Sequence, residues 1–223
     1  MSSQTIKPDL DHFTTAHSNG LSQLVMTTLV GDLETPVSAF MKLRNAFSGP
    51  AFLLESVEGG AVRGRYSMIG LRPDVIWRCA GGQASVNRNA LHDTKQFVDE
   101  TQAPLLSLRA LMNESTLPIS EDMPPMAAGL FGYLGYDMVR EMEDLAQAKS
   151  DPLNLPDAIM IRPTAMVIFD SVKDSIAVIV PARTKSGEKA RACYEQAIDL
   201  IEQVTCALEL PLPHQRRLDV SAL

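Results

Sequence analysis

Apolar residues along this 223-residue chain recur with two periods, one typical of helices and the other typical of strands. In five stretches they return every three or four residues, as on the buried face of an amphipathic helix. Thr35 is a predicted N-cap with Pro36 in the first helical position, and Ser186 is the predicted cap of the longest helix. The helices predicted in this way span residues 8–18, 36–47, 104–112, 137–145 and 187–209. The second helix is predicted to bury Val37, Phe40, Met41, Leu43 or the stem of Arg44, and Phe47.

Extended segments with alternating or continuous apolar residues lie between these helices. Residues 165–169 and 176–180 are almost continuously apolar, which predicts two central strands with both faces covered. A turn is predicted at Leu71 to Pro73, between two short strands. We therefore expect an α+β fold, with a largely antiparallel β-sheet and packed helices. The predicted strands span residues 23–33, 51–54, 65–69, 74–79, 83–86, 126–133, 157–169 and 175–181.

The hairpin formed by residues 51–54 and 65–69 places a carboxylate and a hydroxyl at the end of a strand, because Glu55 and Ser56 follow its apolar run. A charged group beside so much apolar surface needs a partner. Arg63 or Arg65 on the returning strand is within reach of Glu55 across the hairpin. A small zwitterionic ligand is the other partner that this pattern allows.

Composition excludes several classes of function. The chain is 45% hydrophobic and has no apolar run near the roughly 20 residues that cross a bilayer, so no membrane partner is expected. Its net charge is −7 and its basic residues are scattered, which argues against a nucleic-acid partner. The first ten residues lack the apolar core of a secretory signal, so we expect a cytoplasmic protein. The three cysteines show no C-x-x-C spacing and are predicted to be free thiols.

No group of residues in the sequence predicts catalysis or metal binding within this chain. Three glycines spaced three apart lack the order of a phosphate-binding loop, and close backbone packing is the better interpretation. An acidic group near residue 141 resembles a magnesium site, but its members are scattered around a helix and predict a solvated face. The histidines are predicted to be solvated surface residues. These residues are Gly129, Gly132 and Gly135; Glu141, Glu143 and Asp144; and His12, His17, His92 and His214.

Three segments in order along the chain resemble the N-terminal domain of anthranilate synthase component I. They are LLES followed by GRYSMIG, PPMAAGLFGYLGYDMVREMEDL, and LPDAIMIRPTAMVIFDSVKD. The resemblance implies part of a lyase of tryptophan biosynthesis, which converts chorismate and glutamine-derived ammonia to anthranilate, pyruvate and glutamate. It implies a domain over residues 1–209 and a linker or tail over residues 210–223. Component I of aminodeoxychorismate synthase shares this fold and is an alternative, as is a stand-alone amino-acid-binding domain.

The same resemblance implies partners and a regulatory site. A glutamine amidotransferase subunit, component II, is the expected protein partner. The chorismate-binding domain, with its Mg²⁺, is expected to be absent from this chain, which would then be inactive alone and hold no cofactor. In feedback-regulated members the LLES segment forms part of a tryptophan pocket. Carried over to this sequence, the predicted tryptophan-binding residues are Leu54, Glu55, Ser56 and Arg65.

Overall fold

The helices and strands were located in a computed structural model, which describes residues 5–56, 64–145, 153–185 and 187–213. Four α-helices and one short 3₁₀ helix occur in these ranges. The α-helices are α1 (Leu10–Ser18), α2 (Pro36–Ala46), α3 (Pro104–Ser115) and α4 (Ala190–Glu209), and the 3₁₀ helix spans Tyr136–Glu141. The strands are β1 (Gln23–Val30), β2 (Phe52–Leu54), β3 (Tyr66–Ala80), β4 (Gln83–Asn87), β5 (Val98–Asp99), β6 (Phe131–Leu134), β7 (Ala158–Asp170) and β8 (Ser175–Ala182).

The sheet is built on two long strands, β3 and β7, which pair with each other along most of their length. β2 and β4 pair with successive parts of β3, while β8 and β6 pair with successive parts of β7. β1 extends the sheet beyond β8, and β5 extends it beyond β4. Every pairing between the described strands is antiparallel, which confirms the predicted α+β class.

The predicted turn at Leu71 to Pro73 is wrong, because β3 continues through these residues as a single strand. Its pairing with β7 shifts register between Pro73 and Val75, and Arg72 has a φ of 50°. Pro73 lies opposite Pro163, and neither proline can donate a backbone hydrogen bond. The turn-forming residues therefore produce a β-bulge in a continuous strand.

Helices α1, α2 and α4 contribute to one hydrophobic core with β1, β3, β7 and β8. A second core, rich in methionine, includes Met26, Met68 and Met166 together with Phe131. Strands β7 and β8 contribute side chains to both cores, which confirms that they are central strands. α4 buries Cys193, Tyr194, Ala197, Ile201, Val204 and Leu208 along one face.

The helix starts follow the sequence signals in most places. Thr35 and Ser38 form the capping box of α2, as the predicted N-cap requires. α4 begins at Ala190 with Lys189 as its N-cap, and the predicted cap Ser186 lies outside the described residues. The helix predicted over residues 137–145 is instead the shorter 3₁₀ helix.

The buried face of α2 differs from the prediction. Val37 is 44% exposed, whereas Ala39 and Lys42 are buried. The Lys42 ammonium pairs with the Glu34 carboxylate and donates a hydrogen bond of 2.8 Å to the Leu208 carbonyl oxygen, near the end of α4. A lysine is tolerated in this core-facing position because a carboxylate and a helix-end carbonyl both accept from it.

Two of the three evenly spaced glycines lie where backbone segments come close, as predicted. A Cβ atom at Gly132 would overlap the carbonyl oxygen of Ile159 on the paired strand β7. A Cβ atom at Gly135 would lie 2.7 Å from the carbonyl oxygen of Asp157. These glycines therefore allow β6 and the residues after it to approach β7.

A buried ion-pair network lies beside the bulge in β3. Arg162 on β7 donates to both carboxylate oxygens of Asp74 at 2.8 Å and to Glu114 of α3 at 2.9 Å. Its side chain is only 9% exposed. Arg183, just after β8, donates to the carbonyl oxygens of Glu114 and Ser115. The network therefore joins β3, β7, α3 and the end of β8 at one point.

We expect Asp74→Asn to lower the free energy of unfolding by about 3 kcal/mol. This is the lower end of the cost of breaking a buried ion pair, because Glu114 would still partner Arg162. The measurement is urea denaturation of the 223-residue chain. Asp32→Asn, at an exposed position, is the control and should change stability by less than about 0.5 kcal/mol. Equal stability of the two variants would contradict the structural role of the network.

Candidate functional site

The predicted hairpin is present, and it brings the predicted site residues to one corner of the sheet. Leu54 at the end of β2 lies opposite Met68 of β3, so that an exposed leucine lies beside a buried methionine. Beyond this pair the chain leaves the ladder, and the Ser56 backbone N–H donates a hydrogen bond of 3.0 Å to the Ser67 hydroxyl. This contact holds Glu55 and Ser56 close to the start of β3.

Arg65 is bound to Asp170, at the end of β7, and not to Glu55. Its Nε and Nη2 atoms donate to the two carboxylate oxygens of Asp170 at 2.8 and 2.6 Å. The Arg65 guanidinium also lies over the Tyr66 ring, 4.8 Å from its centre. An ion pair between Glu55 and Arg65 was one of the two alternatives from the sequence, and the structure contradicts it. The Arg65 side chain instead ties the hairpin corner to the central strand.

Asp170 is held as a carboxylate by several donors. Its hydrogen bonds with Arg65 keep its pKa below the ordinary value, and the backbone N–H groups of Val172 and Lys173 contribute in the same direction. The Arg65 carbonyl in turn accepts from the backbone and hydroxyl of Ser171. Asp170 therefore holds the guanidinium of Arg65, and Ser171 in the following turn holds its backbone carbonyl.

Glu55 is exposed at this corner, and no ion pair joins it to another residue in the described ranges. Ser56 is half-buried beside it. Arg63, the other arginine proposed as a partner for Glu55, lies outside the described residues. A carboxylate that is exposed next to apolar surface is available to accept hydrogen bonds from an ammonium group.

The interior below the corner is apolar. Phe52 of β2 stacks on Phe131 of β6 with ring centres 4.9 Å apart, and both belong to or pack against the methionine-rich core. The corner thus presents an exposed carboxylate, an exposed leucine and a half-buried serine at the end of a strand that packs on this core.

The remaining candidate residues of the sequence lie apart from this corner. His12 and His92 are exposed as predicted, but His17 is half-buried, and its Nε2 atom has no hydrogen-bond partner in the described structure. His214 lies outside the described residues. Among the residues that are described, no three His, Cys, Asp or Glu side chains are grouped to hold a metal ion.

The described cysteines are free thiols, and two of them are buried. Burial raises the pKa of Cys79 to about 11, and the nearby carboxylates Glu141 and Asp157 act in the same direction. A thiol with so high a pKa is a poor nucleophile at neutral pH. No helix in the described ranges has the length and apolar composition needed to cross a membrane.

Asp170 and Ser67 are parts of the corner that reasoning from the sequence missed. Asp170 ends an apolar strand and precedes a turn, so a charged residue there gave no sign of a distant partner. Arg65 and Asp170 are 105 positions apart. Ser67 lies in the GRYSMIG segment, yet only the register of β2 against β3 shows that its hydroxyl accepts from Ser56.

Comparison with solved structures first defines the class of fold. The chain is similar to the crystal structure of anthranilate synthase component I from Streptococcus pneumoniae, with a TM-score of 0.55 and 24% sequence identity. The match covers 83% of this chain and 37% of that one. At this identity the likeness establishes the fold alone, an antiparallel sheet with packed helices. No protein-family model matches the chain.

Sequence relatives then identify the family. The chain is 46% identical over 197 residues to anthranilate synthase component 1 of Cereibacter sphaeroides, a match that covers 88% of this chain and 39% of that protein. It is 36% identical over 214 residues to the protein of the same name from Synechocystis sp., a match that covers 93% of this chain and 40% of that protein. The chain is therefore a homologue of anthranilate synthase component 1 over the length that they share. It spans about 39% of the length of the first of these relatives.

We expect the pair formed by Arg65 and Asp170 to make the chain less stable in acid. The pKa of Asp170 is lower in the folded chain than its unfolded value of about 3.9, so its stabilisation is present above that value. As the pH falls through the folded pKa, the stabilisation is lost. Asp170→Asn should therefore be less stable than the parent chain at neutral pH, and the difference should shrink as the pH falls below the unfolded pKa of about 3.9.

The measurement is the free energy of unfolding at a series of pH values for both chains. Asp199→Asn, at an exposed position on α4, is the control and should follow the parent chain at every pH. A difference between parent and Asp170→Asn that is constant with pH would show that Asp170 acts through packing and not through its charge.

Proposed function

We propose that this chain is the N-terminal, regulatory and structural part of an anthranilate synthase component I. The observation that carries this proposal is the 46% identity over 88% of the chain to a protein of that name. The whole enzyme would convert chorismate and glutamine-derived ammonia to anthranilate, pyruvate and glutamate in tryptophan biosynthesis. A glutamine amidotransferase subunit, component II, would supply the ammonia. We place this protein in the cytoplasm.

The domain boundary at residue 209 belongs to the same proposal. α4 ends at Glu209, and Pro211 and Pro213 follow it, which suits a linker. The chorismate-binding domain and its Mg²⁺ would belong to the rest of the enzyme, because the described residues provide no grouped metal ligands.

Exposed apolar side chains on this chain support the proposal that another domain packs against it. Tyr133 and Leu134 of β6 are about half exposed, at 45% and 52%, and Tyr136 is 92% exposed. Met142, a few residues later, is 67% exposed. Grouped apolar side chains of this kind on a folded domain are typical of a surface that another domain covers.

We propose that the hairpin corner is part of the tryptophan site that regulates the enzyme. Glu55 would accept from the ligand ammonium, the Ser56 hydroxyl would donate to its carboxylate, and Leu54 would contact its ring. Arg65 would keep the corner in place through Asp170. The exposed position of Glu55, next to the exposed side chain of Leu54, supports this assignment.

The chain alone is expected to lack anthranilate synthase activity, because its described residues provide neither metal ligands nor a grouped acid and base. The measurement is anthranilate formation by the purified chain with chorismate, ammonia and Mg²⁺. Addition of the separately produced chorismate-binding domain should restore some turnover. Turnover by the chain alone, above that of a heat-denatured sample, would overturn the proposal that catalysis belongs to the chorismate-binding domain.

Glu55→Gln is expected to raise the tryptophan concentration needed for half-maximal inhibition by about ten- to a hundredfold. Glutamine keeps the shape of the side chain but removes the charge that binds the ammonium. The measurement is inhibition of an enzyme that includes the chorismate-binding domain, and turnover without tryptophan should stay near normal.

Glu121→Gln, at an exposed position away from the corner, is the matched control and should keep the parent sensitivity. Tryptophan sensitivity that is unchanged in Glu55→Gln would remove Glu55 from the site. A lower melting temperature together with lower uninhibited turnover would show that Glu55 is structural.

A further inference from the structure

A cleft lies beside the ion-pair network and includes Asp74 and Arg162 in its lining. It is bounded by the end of β8, the start of α4 and residues 88–92 after β4, and its volume is about 490 Å³. Clefts that bind small molecules usually measure about 300 to 1,000 Å³. None of the residues proposed for the tryptophan site lines it.

Positive charge is concentrated at this cleft, although the whole chain carries a net charge of −7. Four cationic side chains face three carboxylates in and immediately behind it. The cations are Arg88, Arg162, Arg183 and Lys185, and the carboxylates are Asp74, Glu114 and Glu188. Glu114 is shared, since it accepts from both Arg88 and Arg162 at 2.9 Å. The acidic groups therefore leave one positive charge without a counterpart.

Arg183 forms no ion pair with a carboxylate in the described residues, and neither does the more exposed Lys185. The two described hydrogen bonds of Arg183 go to the neutral carbonyl oxygens of Glu114 and Ser115, at 3.2 and 2.7 Å. A guanidinium has five N–H donors, so three remain available. Burial and the neighbouring Arg162 both lower the pKa of Arg183, and the carboxylates of Asp74 and Glu114 offset this only in part. An anion in the cleft would supply the rest of that compensation.

The rest of the lining is mixed, with polar side chains at Asn89, His92, Thr164 and Gln196 and an aliphatic part. Val75, Val180, Ala197 and Leu200 contribute aliphatic surface from three different elements. Lys185 is exposed at the rim, whereas Arg162 is buried. A site with a guanidinium fork at one side and aliphatic surface at the other favours a ligand that carries an oxyanion on an apolar body.

We propose that this cleft binds a small organic oxyanion, a carboxylate or phosphate ester with an apolar ring or chain, through Arg183 and Lys185. Arg183 makes a forked contact with two oxygens of the anion, and Lys185 adds a charge from the rim. The apolar body lies against Val180 and Leu200. This site is separate from the hairpin corner, so a test of this proposal does not decide the tryptophan proposal.

The test is titration of the full 223-residue chain by calorimetry, with binding mapped by ¹H–¹⁵N NMR. The probes are benzoate, phenyl phosphate, inorganic phosphate and the uncharged benzyl alcohol, each up to about 10 mM. Benzoate or phenyl phosphate should bind and shift the amide signals of residues 88–92 and 183–185. Benzyl alcohol should not bind. Stronger binding of phenyl phosphate than of benzoate identifies a phosphate ester as the preferred class, and the reverse identifies a carboxylate.

Variants locate the binding. Arg183→Gln should weaken it by about ten- to a hundredfold, and Lys185→Gln, on the exposed rim, by up to about fivefold. Lys173→Gln, exposed in the turn between β7 and β8, is the control and should bind like the parent. If Arg183→Gln does not fold, because it also loses the contacts to α3, Lys185→Gln and the amide map decide the question. No binding of either organic anion, equal binding of benzyl alcohol, inorganic phosphate as the sole ligand, or binding unchanged in both variants would overturn the proposal.

Discussion

The structure depends on the ion pairs that Arg162 makes beside the bulge in β3. Two long strands pair on both sides of this point, but Pro73 and Pro163 interrupt the hydrogen bonds between them. The bidentate contact with Asp74 and the contact with Glu114 replace that lost connection with charge-assisted bonds. Since Arg162 is buried, loss of either carboxylate removes part of the compensation of its charge, while the other carboxylate stays in place.

The same strand, β7, carries a second ion pair, which lies at the corner that we propose as part of the tryptophan site. Asp170 at its end binds Arg65 at the start of β3, and the hairpin corner is built on that contact. Arg65 is therefore a support for the corner, while Glu55 remains exposed and able to meet a ligand. A rigid support beneath an unpartnered carboxylate is the arrangement expected where an effector's ammonium group is recognised.

The exposed apolar surface of this chain can be related to the greater length of its relatives. The chain spans about 39% of the Cereibacter sphaeroides relative, and apolar side chains at Tyr133, Leu134 and Tyr136 are exposed. β6 reaches that position because Gly132 and Gly135 permit close approach to β7. A second domain could bury these exposed apolar side chains.

The sequence by itself determined the structural features that depend on residues close together along the chain. The capping box at Thr35, the hairpin before Glu55, the central position of β7 and β8 and the close approach at Gly132 follow from local periodicity and turn chemistry. Only the tertiary structure decided which charges pair, since Arg65 and Asp170 are 105 positions apart and Asp74 and Arg162 are 88 apart. It also turned a predicted turn at Pro73 into a bulge and buried Lys42, because distant partners supplied the hydrogen bonds that a local pattern cannot show.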